Sequence, residues 1–118
     1  MSDLENKLFT TDEVPGHRIA RALGLVRGSS VRSRHVGRDV GSFFQNLVGG
    51  ELDDYTKLLG EAREQALDRM ADEARAMGAD AVVALRFAGT EIASGAAEVL
   101  VYGTAVELVV EDPISDSI

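Results

Sequence analysis

Half of the basic residues of this chain lie in one short segment. Residues 17–38 contain six of the twelve lysines and arginines, both histidines and no acidic residue. Arginine guanidinium groups bind carboxylates and phosphates through paired hydrogen bonds, so the segment is a candidate anion site. The competing interpretation, which we favour, is pairing with acidic residues of a neighbouring subunit. The arginines are Arg18, Arg21, Arg27, Arg32, Arg34 and Arg38.

Metal binding has little support from the residue types. Soft heavy metals prefer thiolates or clustered imidazoles, and the chain contains no cysteine and only two histidines. His17 and His35 are not at the spacing of a ligand pair, although symmetry in an oligomer can bring one histidine per subunit to a common axis. We therefore expect no metal cofactor and keep His17 and His35 as the candidate ligands.

A second candidate anion site surrounds the pair Gly49-Gly50. Glycines before a helix N-terminus can bring backbone N–H groups close to an anion. The Lys-Ser/Thr of a phosphate loop is missing here, which favours a tight turn instead. Arg38 and Asp39 are predicted to form a local ion pair, and Tyr55 is assigned to packing with one polar end. The ligand-binding candidates are Arg32, Arg34, Arg38, Asp39, Gly49, Gly50 and Tyr55.

The candidate residues do not form a catalytic set. We find neither a Ser/His/Asp arrangement nor paired carboxylates that converge on a pocket. The sequence therefore predicts a protein that is not an enzyme. An enzyme that holds an anionic substrate with the arginine segment is the least favoured alternative.

Residues 51–78 predict the long helix that organises the fold. Apolar side chains recur at three- and four-residue steps, and charged residues occupy the opposite face. Asp53 or Asp54 is the predicted N-cap, and Gly78 is the predicted left-handed residue after the last turn. At a rise of ~1.5 Å per residue the helix is about 40 Å long. The apolar stripe is Tyr55, Leu58, Leu59, Ala62, Ala66, Met70, Ala74 and Met77.

Alternating residues predict three strands around this helix. The first covers residues 17–27 and is ended or bulged at Gly28, with residues 31–38 left open as strand or loop. The second covers 81–87 and the third 97–110. A turn over residues 91–95, with Ser94-Gly95 at its tip, joins the last two as an antiparallel hairpin. Residues 8–14 predict a short extended stretch.

The predicted fold class is therefore α+β, with a small antiparallel sheet of about three strands. One long helix packs on it, and residues 39–48 have the apolar spacing of one short helix. With 118 residues we expect a single domain over residues 9–110, between a flexible N-terminus (1–8) and a flexible acidic tail (111–118).

Composition also limits the location and the partners. No apolar run approaches the ~20 residues of a membrane span, and the polar N-terminus is not that of a signal peptide. The absence of cysteine fits a reducing compartment, so the predicted location is cytoplasmic. A net charge of −8 argues against nucleic-acid binding.

The third strand predicts self-association. One helix can cover only one face of a three-stranded sheet, and a solvated face normally carries polar residues. Both faces of this strand are instead largely apolar, so we predict a homo-oligomer that buries the second face. The alternative is that the short helix at 39–48 covers it within one subunit. The two apolar series are Leu100, Tyr102, Val106 and Leu108 on one face, and Val99, Val101, Ala105 and Val109 on the other.

Motifs spread over about residues 9–108 carry a family resemblance. The more specific parts are Gly78-Ala79-Asp80-Ala81 and the spacing of Arg38-Asp39, Gly49-Gly50 and Tyr55. With these residues the chain resembles the YbjQ-like family of small bacterial proteins. The other matching segments are Phe9-Thr10-Thr11, Gly24-Leu25-Val26-Arg27-Gly28, Gly37, Val48, Ala62-Arg63-Glu64, Ala76-Met77, Val82-Val83 and Gly103-Thr104-Ala105-Val106.

The resemblance implies an α+β fold assembled as a ring-like homopentamer, doubled to a decamer in some members. It also implies a protein of unknown function with the label "putative heavy-metal-binding", which the motifs of this cysteine-free sequence do not explain. The expected function is a non-enzymatic homo-oligomeric binding protein whose ligand is a metal ion or a small anion at subunit interfaces. The alternative is a structural or protein-interaction platform with no small-molecule ligand.

Overall fold

The computed structural model describes residues 7–33, 50–93 and 96–111. Within these ranges the chain forms β1 (His17–Ser33), α1 (Gly50–Ala76), β2 (Ala81–Ala93) and β3 (Ala96–Val110). The strands make one antiparallel sheet of order β1-β3-β2, so β3 lies at the centre. The predicted α+β class, with a three-stranded sheet and one long helix, is confirmed. The short helix predicted at 39–48 lies outside the described residues.

The apolar stripe of α1 packs against one face of the sheet, mainly over β1 and β3. Ala62, Ala66, Met70 and Ala74 are fully buried and share one cluster with Val26, Val101 and Ala105 of the sheet. Alanine at the contact lets the helix backbone approach the strand closely. The predicted register of the helix is confirmed from Ala62 to its C-terminal turns.

Gly28 marks the point of closest approach between α1 and β1. A Cβ built on Gly28 would lie 2.1 Å from the carbonyl oxygen of Ala66 and 2.5 Å from the backbone nitrogen of Met70. The prediction that Gly28 ends or bulges the strand is wrong, because Gly28 pairs with Val101 and β1 continues to Ser33. Glycine is needed here for space under the helix.

The sequence prediction is wrong at one end of α1 and confirmed at the other. The helix begins at Gly50, so Asp53 and Asp54 lie inside it and neither is the N-cap. At the C-terminal end Gly78 has φ +80°, and the N–H of Ala79 donates to the carbonyl of Ala74 at 3.1 Å. This pattern is the Schellman motif, which confirms the predicted role of Gly78. No helix within the described ranges is long and apolar enough to cross a membrane.

Two irregularities in β1 break its simple alternation. The register with β3 shifts between Ile19 and Arg21 and again between Ala22 and Gly24. Ile19 and Leu23 have the same parity in the sequence, yet Ile19 packs in one apolar cluster and Leu23 in the other. Each bulge adds one residue to β1 and reverses the face on which the following side chains lie.

The predicted β2–β3 hairpin is confirmed, but its strands are longer than expected. Glu91 pairs with Ala97, and Ala93 pairs with Ala96. The prediction that the turn begins at Glu91 is therefore wrong, because the β-forming residues Thr90 and Ile92 continue the strand past it. The predicted tip, Ser94-Gly95, lies between the paired residues and outside the described ranges.

Residues 7–11 extend the sheet along the outer edge of β2. The N–H of Phe9 donates to the carbonyl of Val82 at 2.9 Å, and the N–H of Val82 donates to the carbonyl of Lys7 at 3.0 Å. At the bulge of β2, Ala84 has φ +55° and its N–H donates to the carbonyl of Thr11. The domain boundary at residue 9 remains a prediction, and Lys7 is among the residues that pair with β2.

Among the described residues, the face of the sheet away from α1, here called the second face, is covered at one end. Val14 and Phe9 pack there against Ala81, Val83 and Val106, a cover that the sequence analysis did not assign. Farther along the same face three apolar side chains are exposed: Leu25 by 62%, Val31 by 55% and Tyr102 by 39%. The described residues thus leave part of the second face exposed, and the alternative cover, the short helix predicted at 39–48, lies outside them.

Candidate functional site

The described part of the arginine segment is stretched along β1, and its arginines do not form one site. Arg18, Arg21 and Arg27 are all exposed. A strand rises about 3.3 Å per residue, which places Arg18 and Arg27 roughly 25–30 Å apart. A small anion cannot contact both ends of such a row. The described arginines therefore have to be considered one at a time, by the partners that each one has.

Arg21 is paired within its own subunit. Its Nε lies 3.1 Å from the Oε1 of Glu107, directly opposite on β3. Both side chains are well exposed, so the ion pair contributes little to stability, on the order of 0–1 kcal/mol. Arg21 does not need an acidic partner on a neighbouring subunit. The interpretation that the arginines pair with acidic residues of a neighbouring subunit is therefore not supported for Arg21.

Arg18 and His17 line an open groove of about 540 Å³ beside the turn at Pro15-Gly16. The His17 Nδ1 lies 3.1 Å from the carbonyl oxygen of Pro15. In the tautomer that makes this hydrogen bond, Nδ1 carries the proton and Nε2 keeps a lone pair for a ligand. Glu13 and Glu111 line the same groove, so it combines one imidazole, one guanidinium group and two carboxylates.

The groove at His17 does not provide a complete metal site in one chain. Among the described residues, no group of three His, Cys, Asp or Glu side chains is close enough to hold a metal ion. Zinc-type sites in proteins use three or four such ligands. If His17 binds a metal ion, further ligands have to come from outside the described residues of this chain or from another copy.

A second groove, of about 510 Å³, lies at the free edge of β1. The backbone N–H of Arg27 donates to the Oε1 of Glu73 at 3.1 Å, and the Nη1 of Arg69 donates to the carbonyl of Ser29 at 2.7 Å. Two side chains of α1 thus satisfy outward-facing backbone groups of an edge strand. An edge strand protected in this way is less available for pairing with another strand.

Sequence reasoning missed this pair of helix residues. Arg69 and Glu73 are four positions apart, so they lie on one flank of α1. The sequence shows the spacing of these two residues on the helix, but it does not show which strand edge they contact. The guanidinium group of Arg27 itself points to the second face beside Tyr102, and it has no ion-pair partner among the described residues.

The remaining ligand candidates are only partly described. Arg32 pairs through its backbone with Ala97 near the end of β1. Gly50 is the first residue of α1, and Tyr55 lies in the second turn of this helix. Their side-chain positions are outside the description. His35, Arg34, Arg38, Asp39 and Gly49 lie wholly outside the described residues, so these binding candidates remain predictions.

The most specific sequence motif serves the fold. Gly78 and Ala79 terminate α1, and the carboxylate of Asp80 accepts a hydrogen bond from the N–H of Leu108 at 2.9 Å. Asp80 thereby ties the beginning of β2 to the end of β3. Ala79 and Ala81 are buried. The requirement for this motif is explained by a helix end and a strand start, without a ligand.

The comparisons with known proteins agree on one family. Residues 7–109 match the model of a YbjQ family described as "Putative heavy-metal-binding". A UPF0145 protein of Thermosipho melanesiensis is 50% identical over 105 residues, which cover 89% of this chain and 97% of that protein. A UPF0145 protein of Halobacterium salinarum is 54% identical over 102 residues, which cover 86% of this chain and 98% of that one.

One solved structure has the same fold. It is a crystal structure of a protein with unknown function from Pediococcus pentosaceus, assigned to the DUF74 family. The two chains share 15% sequence identity with a TM-score of 0.52, over 86% of this chain and 96% of that one. The match to the family model and the identity to the UPF0145 proteins extend over nearly all the described residues. The chain therefore belongs to the YbjQ-like family of UPF0145 proteins, whose description is "Putative heavy-metal-binding".

Proposed function

We propose that this protein is a non-enzymatic, homo-oligomeric binding protein. Its subunits form a ring of five, or a doubled ring of ten, and a small ligand binds between them in the cytoplasm. The observation that supports the proposal is the exposed part of the second face, where Leu25, Val31 and Tyr102 share one side of β1 and β3. Large exposed apolar side chains on one face of a sheet favour an interaction surface.

Burial of this surface provides the driving force for assembly. Removing apolar area from water contributes roughly 25 cal/mol per Å². A subunit in a closed ring has two neighbours, so the gain from both contacts is set against the association cost. The number of subunits comes from the family resemblance, since an exposed strand face does not count its partners.

The ligand is proposed to lie at the subunit interfaces because the described residues of one subunit offer incomplete sites. His17 has one lone pair available, and its groove has two carboxylates, Glu13 and Glu111. Arg32, Arg34 and Arg38 are the proposed anion-binding residues, as the sequence predicts. A metal ion would use the first site and a small anion the second. The family description names a class of ligand and no reaction, which supports a binding role.

Native mass spectrometry of untagged protein tests assembly and ligand together. We expect a species at five or ten times the 12.6 kDa of the chain, with additional mass that disappears on denaturation. A 12.6 kDa species at micromolar concentration would contradict the proposal. A ring without additional mass would favour the alternative, a platform for a partner protein.

Titration calorimetry separates the two ligand classes. We expect zinc, copper or cadmium to bind weakly to the isolated protein, because one imidazole is a poor soft-metal site. Sub-micromolar binding at one ion per subunit, lost in His17→Ala, would instead establish metal binding as the function. Inorganic phosphate is the matching probe for an anion site, with Arg34→Gln as its variant.

A further inference from the structure

Two exposed surfaces of different character lie at opposite edges of the sheet. The β1 surface consists of Leu25, Arg27 and Val31 on the second face. The helix groove consists of Leu8, Leu67, Glu64 and Asp68, where α1 meets the segment that runs along β2, and it has a volume of about 320 Å³. Because the strand order is β1-β3-β2, the whole width of the sheet separates the two surfaces.

The β1 surface is apolar with one positive charge. Leu25, Arg27 and Val31 pair with Thr104, Tyr102 and Glu98 of β3 in an unbroken register, so all three side chains point to the second face. Leu25 and Val31 are more than half exposed. Arg27 lies between them in the strand. A surface that buries Leu25 and Val31 therefore has to offer an acidic partner near Arg27.

The helix groove has the complementary character. Leu8 and Leu67 are half-buried and form its floor, and Glu64 and Asp68 are exposed beside them. The two acids are four residues apart on α1, where like charges repel and destabilise a helix slightly. Neither has an ion-pair partner among the described residues. A cation placed between them would relieve this repulsion.

Pairing of strand edges is an inferior route to assembly. At the middle of β1 the N–H of Arg27 and the carbonyl of Ser29 are already bonded to Glu73 and Arg69. On β2 the backbone around Val82 to Leu85 is bonded to residues 7–11. These contacts occupy backbone groups in the middle of the β1 edge and at the beginning of the β2 edge. We therefore expect a partner copy to bind through side-chain surfaces.

We propose that copies of this chain associate head to tail, with the β1 surface of one copy seated on the helix groove of the next and Arg27 placed between Glu64 and Asp68. This inference rests on the proposed homo-oligomer and specifies its interface. The two surfaces differ and lie at opposite edges, so each copy can bind one neighbour on each side. Such heterologous contacts close into rings when the rotation between copies allows it.

Cross-linking tests the contact directly, because the chain has no cysteine of its own. The double variant Leu25→Cys/Glu64→Cys is treated with a short bifunctional maleimide and examined on a denaturing gel. We expect a ladder at multiples of 12.6 kDa, with most of the protein linked. Leu25→Cys alone stays a single band. The control Asp72→Cys/Glu64→Cys, with one thiol exposed on the outer face of α1, also stays a single band.

Each other outcome overturns the head-to-tail contact. Dimers from Leu25→Cys alone would show that two β1 surfaces face each other. A double variant with no more linkage than its control, in protein that still sediments as an oligomer, would place the interface elsewhere. Unmodified protein that sediments as a monomer would refute the proposed homo-oligomer as well, so the two failures are distinguishable.

A charge exchange provides a second measurement that does not depend on thiol geometry. Arg27→Glu alone and Asp68→Lys alone should each raise the protein concentration at which half of the oligomer dissociates by at least tenfold, because like charges then meet in the contact. A mixture of the two variants should regain assembly, since the carboxylate introduced in one variant then meets the ammonium group introduced in the other. Lys57→Glu and Glu61→Lys, at exposed positions on the outer face of α1, are matched controls. Failure of the mixture to assemble, with both variants folded by circular dichroism, would contradict the contact.

Discussion

The two faces of the sheet are built on different principles. Under α1 the side chains are small, and Gly28, Ala62 and Ala66 bring the backbones of strand and helix together. On the second face Leu25, Val31 and Tyr102 are large and exposed. The first face is completed by its own chain through close approach. The second is left with side chains that a flat neighbouring surface can bury.

The second face itself has two parts. At the end near Pro15, Val14 and Phe9 cover Val83 and Val106, and Val106 is almost fully buried. At the other end the described chain does not cover Leu25 or Val31. The covering segment is held along β2 by backbone hydrogen bonds and by Arg86, whose Nη1 donates to the carbonyl of Thr10 at 2.8 Å. It therefore packs against the beginning of β1, at Ile19, and lies away from Leu25 and Val31.

The largest expected effects come from two variants that each place a charge on a different face of β3. Val101 is fully buried under α1, so Val101→Lys should unfold the subunit, at a cost of about 4 kcal/mol or more. Leu100 is half-buried on the second face, so Leu100→Lys should leave the subunit folded and dissociate the oligomer. Circular dichroism with thermal melting measures folding, and sedimentation velocity measures assembly.

The two variants control for each other, because they introduce the same side chain at adjacent positions. Equal melting temperatures would contradict the assignment of the faces. A Leu100→Lys protein that remains oligomeric would show that the open end of the second face is not an interface.

Much of this contrast was accessible from the sequence. The helix stripe and the β2–β3 hairpin depend on local periodicity, and both were predicted, although β2 extends to Ala93. The apolar character of both faces of β3 was also predicted. These features follow from spacing within one element, which a sequence displays directly.

What the sequence did not predict depends on contacts between distant elements. The first bulge in β1 changes the alternation of the strand, and no glycine or proline marks it at Ile19 or Ala20. Gly28 was assigned to a strand end because its need for space comes from Ala66, which lies far along the chain. The cover provided by Val14 likewise depends on how residues 7–11 pair with β2. The described arginines, Arg18, Arg21 and Arg27, are close in the sequence but separated in space, because they lie on an extended strand.

The close approach under α1 gives the next largest effect. Gly28→Ala places a methyl group where the Ala66 carbonyl oxygen now lies, so the helix has to move away from β1. We expect a loss of about 3 kcal/mol in the free energy of unfolding, measured by urea denaturation. Gly89→Ala is the matched control, because its nearest neighbour, the carbonyl oxygen of Glu98, lies at an ordinary 3.8 Å. Equal losses would mean that the approach of helix and strand is not the cause.

The covered end of the second face offers a smaller change. Val14→Ala removes two methyl groups from a buried position against Val83 and Val106 and should cost about 1–2 kcal/mol in the free energy of unfolding. Val110→Ala is the control, since Val110 is mostly exposed at the end of β3 and should change stability little. If Val14→Ala were as neutral as Val110→Ala in urea denaturation, the turn at Pro15 would not be a structural part of the second face.

The smallest expected effect concerns the edge of β1, where the two faces meet. Glu73→Ala removes the acceptor of the Arg27 N–H, and this exposed amide then bonds to water, so the loss should be only about 0.5–1 kcal/mol. Hydrogen exchange is the sharper measurement, because the Arg27 amide should exchange faster while the buried Val26 amide keeps its protection. Glu61→Ala, on the outer face of α1, is the control and should change neither amide. Unchanged exchange at Arg27 in Glu73→Ala would mean that the neighbouring copy, rather than α1, protects this edge, and the interface would then include the strand edge as well as the face.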